Sequence, residues 1–192
     1  MSKSIKGTQT EHNLLASFAG ESQARSRYTL FAQKAIEEGY EQIAAIFLTT
    51  AAQELSHATQ FFNLLEGGMV EIKAAYPAGK VGTTKENLAE AAAGEHEEWG
   101  DLYANFAEVA QNEGFPLIAL LYRNIAKVEQ MHEARYLKLL ERLENGEVFK
   151  SQEPTKWYCR KCGYVVETKE APKKCPVCGM PQGWFERFPD NY

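Results

Sequence analysis

The chain has 192 residues, 44% hydrophobic and 24% charged, with a net charge of −5 at neutral pH, which suits one domain with a substantial core plus a small module. No stretch nears the roughly 20 apolar residues of a membrane span, and no basic block offers a footprint for nucleic acid. The opening Met-Ser-Lys-Ser-Ile-Lys-Gly is not followed by the apolar run of a secretory signal, so a cytoplasmic location is expected.

Four long segments read as helices. Thr8-x-x-Glu11 forms a candidate capping box for helix A, expected over residues 9–38, with Gly39 as its stop. Helix B begins near Tyr40 and is expected to end at Gly67-Gly68, a pair suited to a left-handed cap. Thr83-x-x-Glu86 offers a second capping box for helix C, which runs to Gly114; Pro116 opens helix D and Gly146 closes it. The one- or two-residue joints at Gly39 and Gly114 make A–B and C–D antiparallel hairpins. The link from about Gly67 to Thr83, extended at about 3.3 Å per residue, spans roughly 56 Å, against roughly 40 Å for helix B. It can therefore cross the length of a bundle, as the single long crossover of ferritin-like bundles does, or form a loose loop between independent hairpins.

The second hairpin repeats the first. Ala19-Gly20-Glu21 recurs as Ala93-Gly94-Glu95 at an offset of 74, whereas Tyr28, Phe31-Ala32, Glu38-Gly39 and Glu54-x-x-His57 recur as Tyr103, Phe106-Ala107, Glu113-Gly114 and Glu129-x-x-His132 at 75. One residue has entered between Glu95 and Tyr103. A helix absorbs an insertion without rotating everything downstream by widening one turn to i→i+5, so a π-bulge is expected there, keeping Phe106 and Val109 on the core side.

Helix B presents Ile43, Phe47, Thr50, Glu54, His57, Phe61 and Leu64 at 3–4 spacing, and helix D presents Ile118, Tyr122, Ile125, Glu129, His132, Tyr136 and Leu139. Helix A adds Glu21 to a stripe with Leu14, Phe18, Tyr28 and Phe31; helix C adds Glu95 and Glu98 between Leu88 and Leu102. Five carboxylates and two imidazoles thus converge on one interior. Unpaired charges there cost several kcal/mol each, and Arg25 alone cannot balance them. Metal ions can, and Glu from two helices with Glu-x-x-His from two others is the ligand pattern of di-iron and di-manganese bundles. His12, His96 and Glu97 are expected on the surface. Tyr28 and Tyr103, two turns beyond Glu21 and Glu95, are either core tyrosines or hydrogen-bond partners of the ligands.

Cys159-x-x-Cys162 and Cys175-x-x-Cys178 supply four thiolates to a tetrahedral ion, zinc or iron by spacing alone. Their setting, Trp157-Tyr158-Cys159-x-x-Cys162-Gly163-Tyr164, Cys175-Pro176-Val177-Cys178-Gly179 and Phe185-Glu186, closely resembles rubredoxin, which carries one redox-active iron.

Taken together, from Gly20-Glu21-Ser22-Gln23-Ala24-Arg25 to Phe185-Glu186, the chain resembles the rubrerythrin family. The resemblance implies a mainly α fold: a ferritin-like four-helix bundle (1–146), a tether (147–156) and a rubredoxin-like domain (157–192). It implies two bundle irons held by Glu21, Glu54, Glu95, Glu98, Glu129 and His132 when oxidised, with His57 replacing Glu98 after reduction, and a third iron on the four cysteines. It further implies a homodimeric peroxidase that reduces hydrogen peroxide to water in oxidative-stress defence, with electrons from a separate NAD(P)H-dependent reductase or rubredoxin. A ferroxidase would use the same bundle.

Overall fold

The computed structural model describes residues 3–190. Helix A is α1 (Gln9–Glu37), helix B is α2 (Glu41–Asn63), and helix D is α5 (Pro116–Glu144). Helix C is α3 (Thr84–Glu97), a π-helical turn (Glu98–Leu102) and α4 (Tyr103–Asn112), continuous along one axis. The π turn falls where the repeat offset changes. α1 packs on α2, and α3 and α4 pack on α5, giving the two expected hairpins.

Gly39 (φ 81°), Gly114 (φ 83°) and Gly146 (φ 67°) follow the ends of their helices in the left-handed conformation that glycine adopts without penalty. The residue before each hairpin glycine has a second task. Glu38 accepts from the Thr84 amide at the start of α3 (3.0 Å). Glu113 accepts from the Gln9 and Thr10 amides (3.0 and 2.8 Å) and from the Thr10 hydroxyl (2.6 Å) at the start of α1. Each hairpin turn thus caps the opening helix of the other hairpin, which gives the repeated Glu-Gly a physical reason.

Helix B stops at Asn63 rather than at Gly67-Gly68. The intervening Glu66 instead accepts from the Ser4 hydroxyl (2.6 Å) and the Ile5 amide (3.0 Å), drawing the chain off the helix axis towards the N-terminal segment. At Thr83 the capping box is reciprocal, but Glu11 answers the amide of Gly7 and not that of Thr8. The crossover carries no regular secondary structure and is pinned to α1 by Tyr76, whose hydroxyl donates to the Ala16 carbonyl (2.7 Å).

The bundle core divides into two apolar clusters. One contains Tyr28, Phe31, Phe47, Tyr136 and Leu139, the other Leu14, Phe61, Tyr103, Tyr122 and Ile125. Full burial of a side chain such as Phe47 or Phe61 is worth about 1.5–3 kcal/mol. Phe106 and Val109 are only half-buried, because Tyr103, Ala107 and Ala110 form the inner face of α4; Leu102, in the π turn, is exposed.

The C-terminal part is a three-stranded antiparallel sheet in the order β2-β1-β3: β1 (Lys150–Cys159), β2 (Val165–Glu170) and β3 (Phe185–Arg187). β1 begins inside the stretch expected as a tether and pairs with β2 from Lys150 onward. Trp157 is fully buried and donates from its indole to the Thr168 carbonyl (3.0 Å). The sheet rests on the α1–α2 turn: Phe149 stacks on Tyr40 at 6.0 Å, and a Cβ on Gly183 would collide with the Gly39 carbonyl.

Candidate metal centres

Between the two apolar clusters lies a polar layer supplied by every long helix. Glu21, Glu54, His57 and Glu129 form one group whose ligand atoms lie within 4.8 Å of one another; Glu54, Glu95, Glu129 and His132 form a second. Glu54 and Glu129 belong to both. The two groups are related by the internal repeat, since the Glu-x-x-His turn of α2 faces that of α5 and the imidazole rings stand 6.0 Å apart at 24°. His57 Nδ1 lies 2.9 Å from Glu129 and 3.6 Å from Glu21 and Glu54. His132 Nδ1 lies 2.7 Å from Glu129, 3.2 Å from Glu54 and 3.7 Å from Glu95.

The remaining expected residues surround this layer. Tyr28 donates to Glu95 (2.7 Å) and Tyr103 to Glu21 (2.5 Å), one phenol from each apolar cluster. Glu98 is in neither four-residue group; it lies half-buried on the π turn and lines a groove of about 820 Å³ between α1, the π turn and the crossover. Trp99 and His96 both bond Glu133 (2.6 and 3.0 Å), fastening the π turn to α5. Arg25, His96 and Glu97 are exposed, whereas His12, expected at the surface, is half-buried and bonds the Thr8 carbonyl (2.8 Å). Sequence reasoning missed Gln53 and Arg135: Gln53 Oε1 lies 3.0 Å from His132 Nε2, and Arg135 donates to Gln53 (3.3 Å) and to Thr50 (2.7 Å).

Electrostatics shows what is missing from the layer. Glu21 Oε2, both oxygens of Glu54 and Glu129, Glu95 Oε2 and Nδ1 of both histidines are buried without a hydrogen-bond partner. Burial lifts the Glu95 carboxyl to about 8 and pushes Glu21 and Glu98 well above the ordinary carboxylate range, with neighbouring carboxylates adding to it. Burial alone would lower the histidines, but the carboxylates outweigh it, raising His57 and taking His132 to about 11. Without metal, the layer avoids the cost of several kcal/mol per unpaired buried ion only by keeping protons on Glu21, Glu95 and Glu98 and on both imidazoles. The unpartnered oxygens and imidazole nitrogens converge on two points, and this donor set fits two iron ions that would share Glu54 and Glu129 and take the place of those protons.

The cysteines form a second centre. In each knuckle the first cysteine carbonyl accepts from a glycine amide, Gly163 (2.9 Å) and Gly179 (3.0 Å), and its own amide donates to a carbonyl beyond, Tyr164 and Met180 (both 2.8 Å). The Sγ atoms of Cys159 and Cys178 are 3.7 Å apart and those of Cys162 and Cys175 3.6 Å. A tetrahedral ion bound at about 2.3 Å sets sulfur–sulfur edges of about 3.8 Å, so the four thiolates fit a single metal.

Comparison with known proteins follows the same division. The family profile described as rubrerythrin matches residues 12–140, and that described as rubrerythrin, rubredoxin-like domain, matches residues 157–186. The chain is 60% identical to rubrerythrin of Porphyromonas gingivalis, over 100% of this chain and 96% of the relative. It is 47% identical to rubrerythrin of Nitratidesulfovibrio vulgaris, over 99% and 100%. Among solved structures, the partially reduced state of nigerythrin is 34% identical with a TM-score of 0.64, covering 97% of this chain and 90% of that one. A Desulfovibrio desulfuricans bacterioferritin, at 23% identity and a TM-score of 0.62 over 72% of this chain and 82% of its own, shares the fold. With a dinuclear carboxylate layer in a ferritin-like bundle and four thiolates in a rubredoxin-like sheet, the chain belongs to the rubrerythrin family.

Proposed function

We propose that this chain reduces hydrogen peroxide to water at a two-iron centre in the bundle and is re-reduced through iron on Cys159, Cys162, Cys175 and Cys178. The observation that carries the reading is the presence, in one chain, of a dinuclear carboxylate layer and a separate tetrathiolate group. A ferroxidase or iron store needs no dedicated electron inlet, which weighs against that reading.

Peroxide takes up two electrons and two protons to give two waters; the iron pair, when bound, would supply the electrons and hold the substrate in place. The protein supplies everything else. Glu54 and Glu129 span both positions, Glu21 and His57 serve one, and Glu95 and His132 serve the other. With iron bound, Glu98 would hold one of these positions in the oxidised protein and His57 would hold it in the reduced protein, as the family resemblance implies. Support for this comes from the placement of His57 in the group with Glu21 while Glu98 waits beside it on the groove wall. Tyr28 and Tyr103 keep their protons, since burial and the nearby carboxylates push both phenols up. Each holds one carboxylate oxygen as a fixed donor, leaving the other oxygen for metal. The groove at Glu98 and Tyr103 gives peroxide and water a path inward.

The electron path favours a homodimer. The rubredoxin-like sheet sits at Gly39 and Tyr40 of its own chain, and Glu54 is 14 residues further along α2, or about 21 Å at 1.5 Å per residue. Tunnelling falls off exponentially with distance, so the path within one chain is slow, and the homodimer that the family resemblance implies would let the thiolates of a second copy serve as donor. Replenishing electrons come from a separate NAD(P)H-dependent reductase or rubredoxin in the cytoplasm; among the described residues no helix is long and apolar enough to cross a membrane.

Replacing Cys175 by Ser tests the division of labour. Steady-state turnover with an external reductase is expected to stop, while chemically reduced variant still consumes peroxide once. Turnover as fast as that of the parent would show that electrons enter elsewhere.

A further inference from the structure

The two histidines are equivalent by the repeat but not by their surroundings. His132 turns Nδ1 towards Glu54, Glu95 and Glu129 and Nε2 towards Gln53 Oε1 at 3.0 Å. Which amide atom of Gln53 faces the ring is fixed by Arg135, a group that only donates and that reaches the same Oε1 at 3.3 Å while bonding Thr50 at 2.7 Å. Facing an oxygen, His132 Nε2 carries the proton, and the Nδ1 lone pair is left for metal. The chain Thr50, Arg135, Gln53 therefore sets both the tautomer and the direction of the ring.

The offset of 75 carries Thr50 and Gln53 onto Ile125 and Val128, and Arg135 corresponds to Gln60. By the repeat, the position equivalent to Gln53 is an aliphatic residue that has no group to accept a proton from an imidazole, and among the described residues nothing hydrogen-bonds His57 Nε2. The His57 side chain is also more open, 12% exposed against 3% for His132.

We propose that Gln53, held by Arg135 and Thr50, is a positioning residue that makes His132 a permanent ligand, and that Val128 in the matching place leaves His57 free to leave and return. This rests on the assignment of His57 and His132 as ligands and explains why the exchange with Glu98 occurs on one side only. The asymmetry is built by the partners of the two histidines as well as by the π turn.

The test uses the metal-free full-length chain titrated with Co²⁺ against a competing chelator, and crystal structures of the iron-loaded protein in both redox states. Gln53→Leu is expected to weaken one of the two bundle Co²⁺ sites by about 10–100-fold and leave the other unchanged, the usual cost of losing such a partner. Gln53→Glu, which keeps an acceptor facing His132, is expected to restore it. Val128→Gln is expected to hold His57 in one position in both redox states while the parent exchanges it with Glu98. Gln53→Leu binding both Co²⁺ ions as tightly as the parent, or failure of Gln53→Glu to restore binding, would overturn the role of Gln53. Exchange in Val128→Gln as complete as in the parent would overturn the role of Val128. A parent that binds no pair of Co²⁺ ions in the bundle, or shows no exchange, would sink the ligand assignment itself, an outcome distinct from the other two.

Discussion

Glu113 offers a quantitative test of how the two hairpins are joined. Replacing it with Ala removes three hydrogen bonds to the first turn of α1, from the Gln9 amide, the Thr10 amide and the Thr10 hydroxyl. Loss of a helix cap costs about 0.5–2 kcal/mol, and loss of a carboxylate at a helix N-terminus about 0.3–1 kcal/mol. Thr10 is fully buried, so water does not readily replace the lost partner. The upper part of the range applies, about 2 kcal/mol, or a fall in Tm of about 4–8 °C for a chain of this size. Thermal unfolding of the metal-loaded protein, followed by circular dichroism, measures it. Partial burial pushes the Glu113 carboxyl up, but its hydrogen bonds with Thr10 and Gln9 and the nearby Lys3 outweigh burial and set it below its ordinary value of 4.5. A depressed folded-state pKa contributes stability that is complete above the unfolded value and lost as pH falls through the folded one. The gap between parent and variant is therefore full at pH 7 and closes in acid, below about 4.5. A variant that melts within a degree of the parent at pH 7, or a gap that stays constant into acid, would refute the cross-hairpin cap.

Metal analysis of protein matured with ample iron is expected to give three irons per chain, two in the bundle and one on the cysteines; stoichiometric zinc on the thiolates would remove the electron inlet. Deleting Gly100 from the π turn is expected to return helix C to unbroken i→i+4 bonding with the Tyr103–Glu21 bond intact, and to take Glu98 away from the groove wall. A crystal structure of the deletion variant that retains the π turn would contradict this account of the inserted residue.

Much of this architecture was legible because it repeats. The glycine stops at Gly39, Gly114 and Gly146 follow from conformational chemistry that is local to each residue, and the π turn follows from a change of one in the offset between Glu95 and Tyr103. Gly67-Gly68 misled for a physical reason: the same chemistry suits a loop glycine, and the side chain that ends α2 early, Glu66, acts on residues 61 and 62 positions away. Glu38 and Glu113 carried a signal that local reading discounts, an acid at the C-terminal end of a helix, where the dipole disfavours it; their recurrence marked the repeat, but their partners in the opposite hairpin lie 46 and 103–104 positions away and only the fold reveals them. Gln53 left no such trace. Its contact with His132 crosses from α2 to α5, and its counterpart Val128 removes it from the repeat, so only the folded arrangement brings it to light.

The most direct test of the central claim is anaerobic rapid mixing of the fully reduced, iron-loaded protein with hydrogen peroxide and, separately, with oxygen. Peroxide reduction predicts that one equivalent of peroxide is consumed for every two bundle irons oxidised, faster than with oxygen, with the iron retained in the protein. Oxidation by oxygen at least as fast as by peroxide, with iron released or mineralised, would contradict it and point to iron handling.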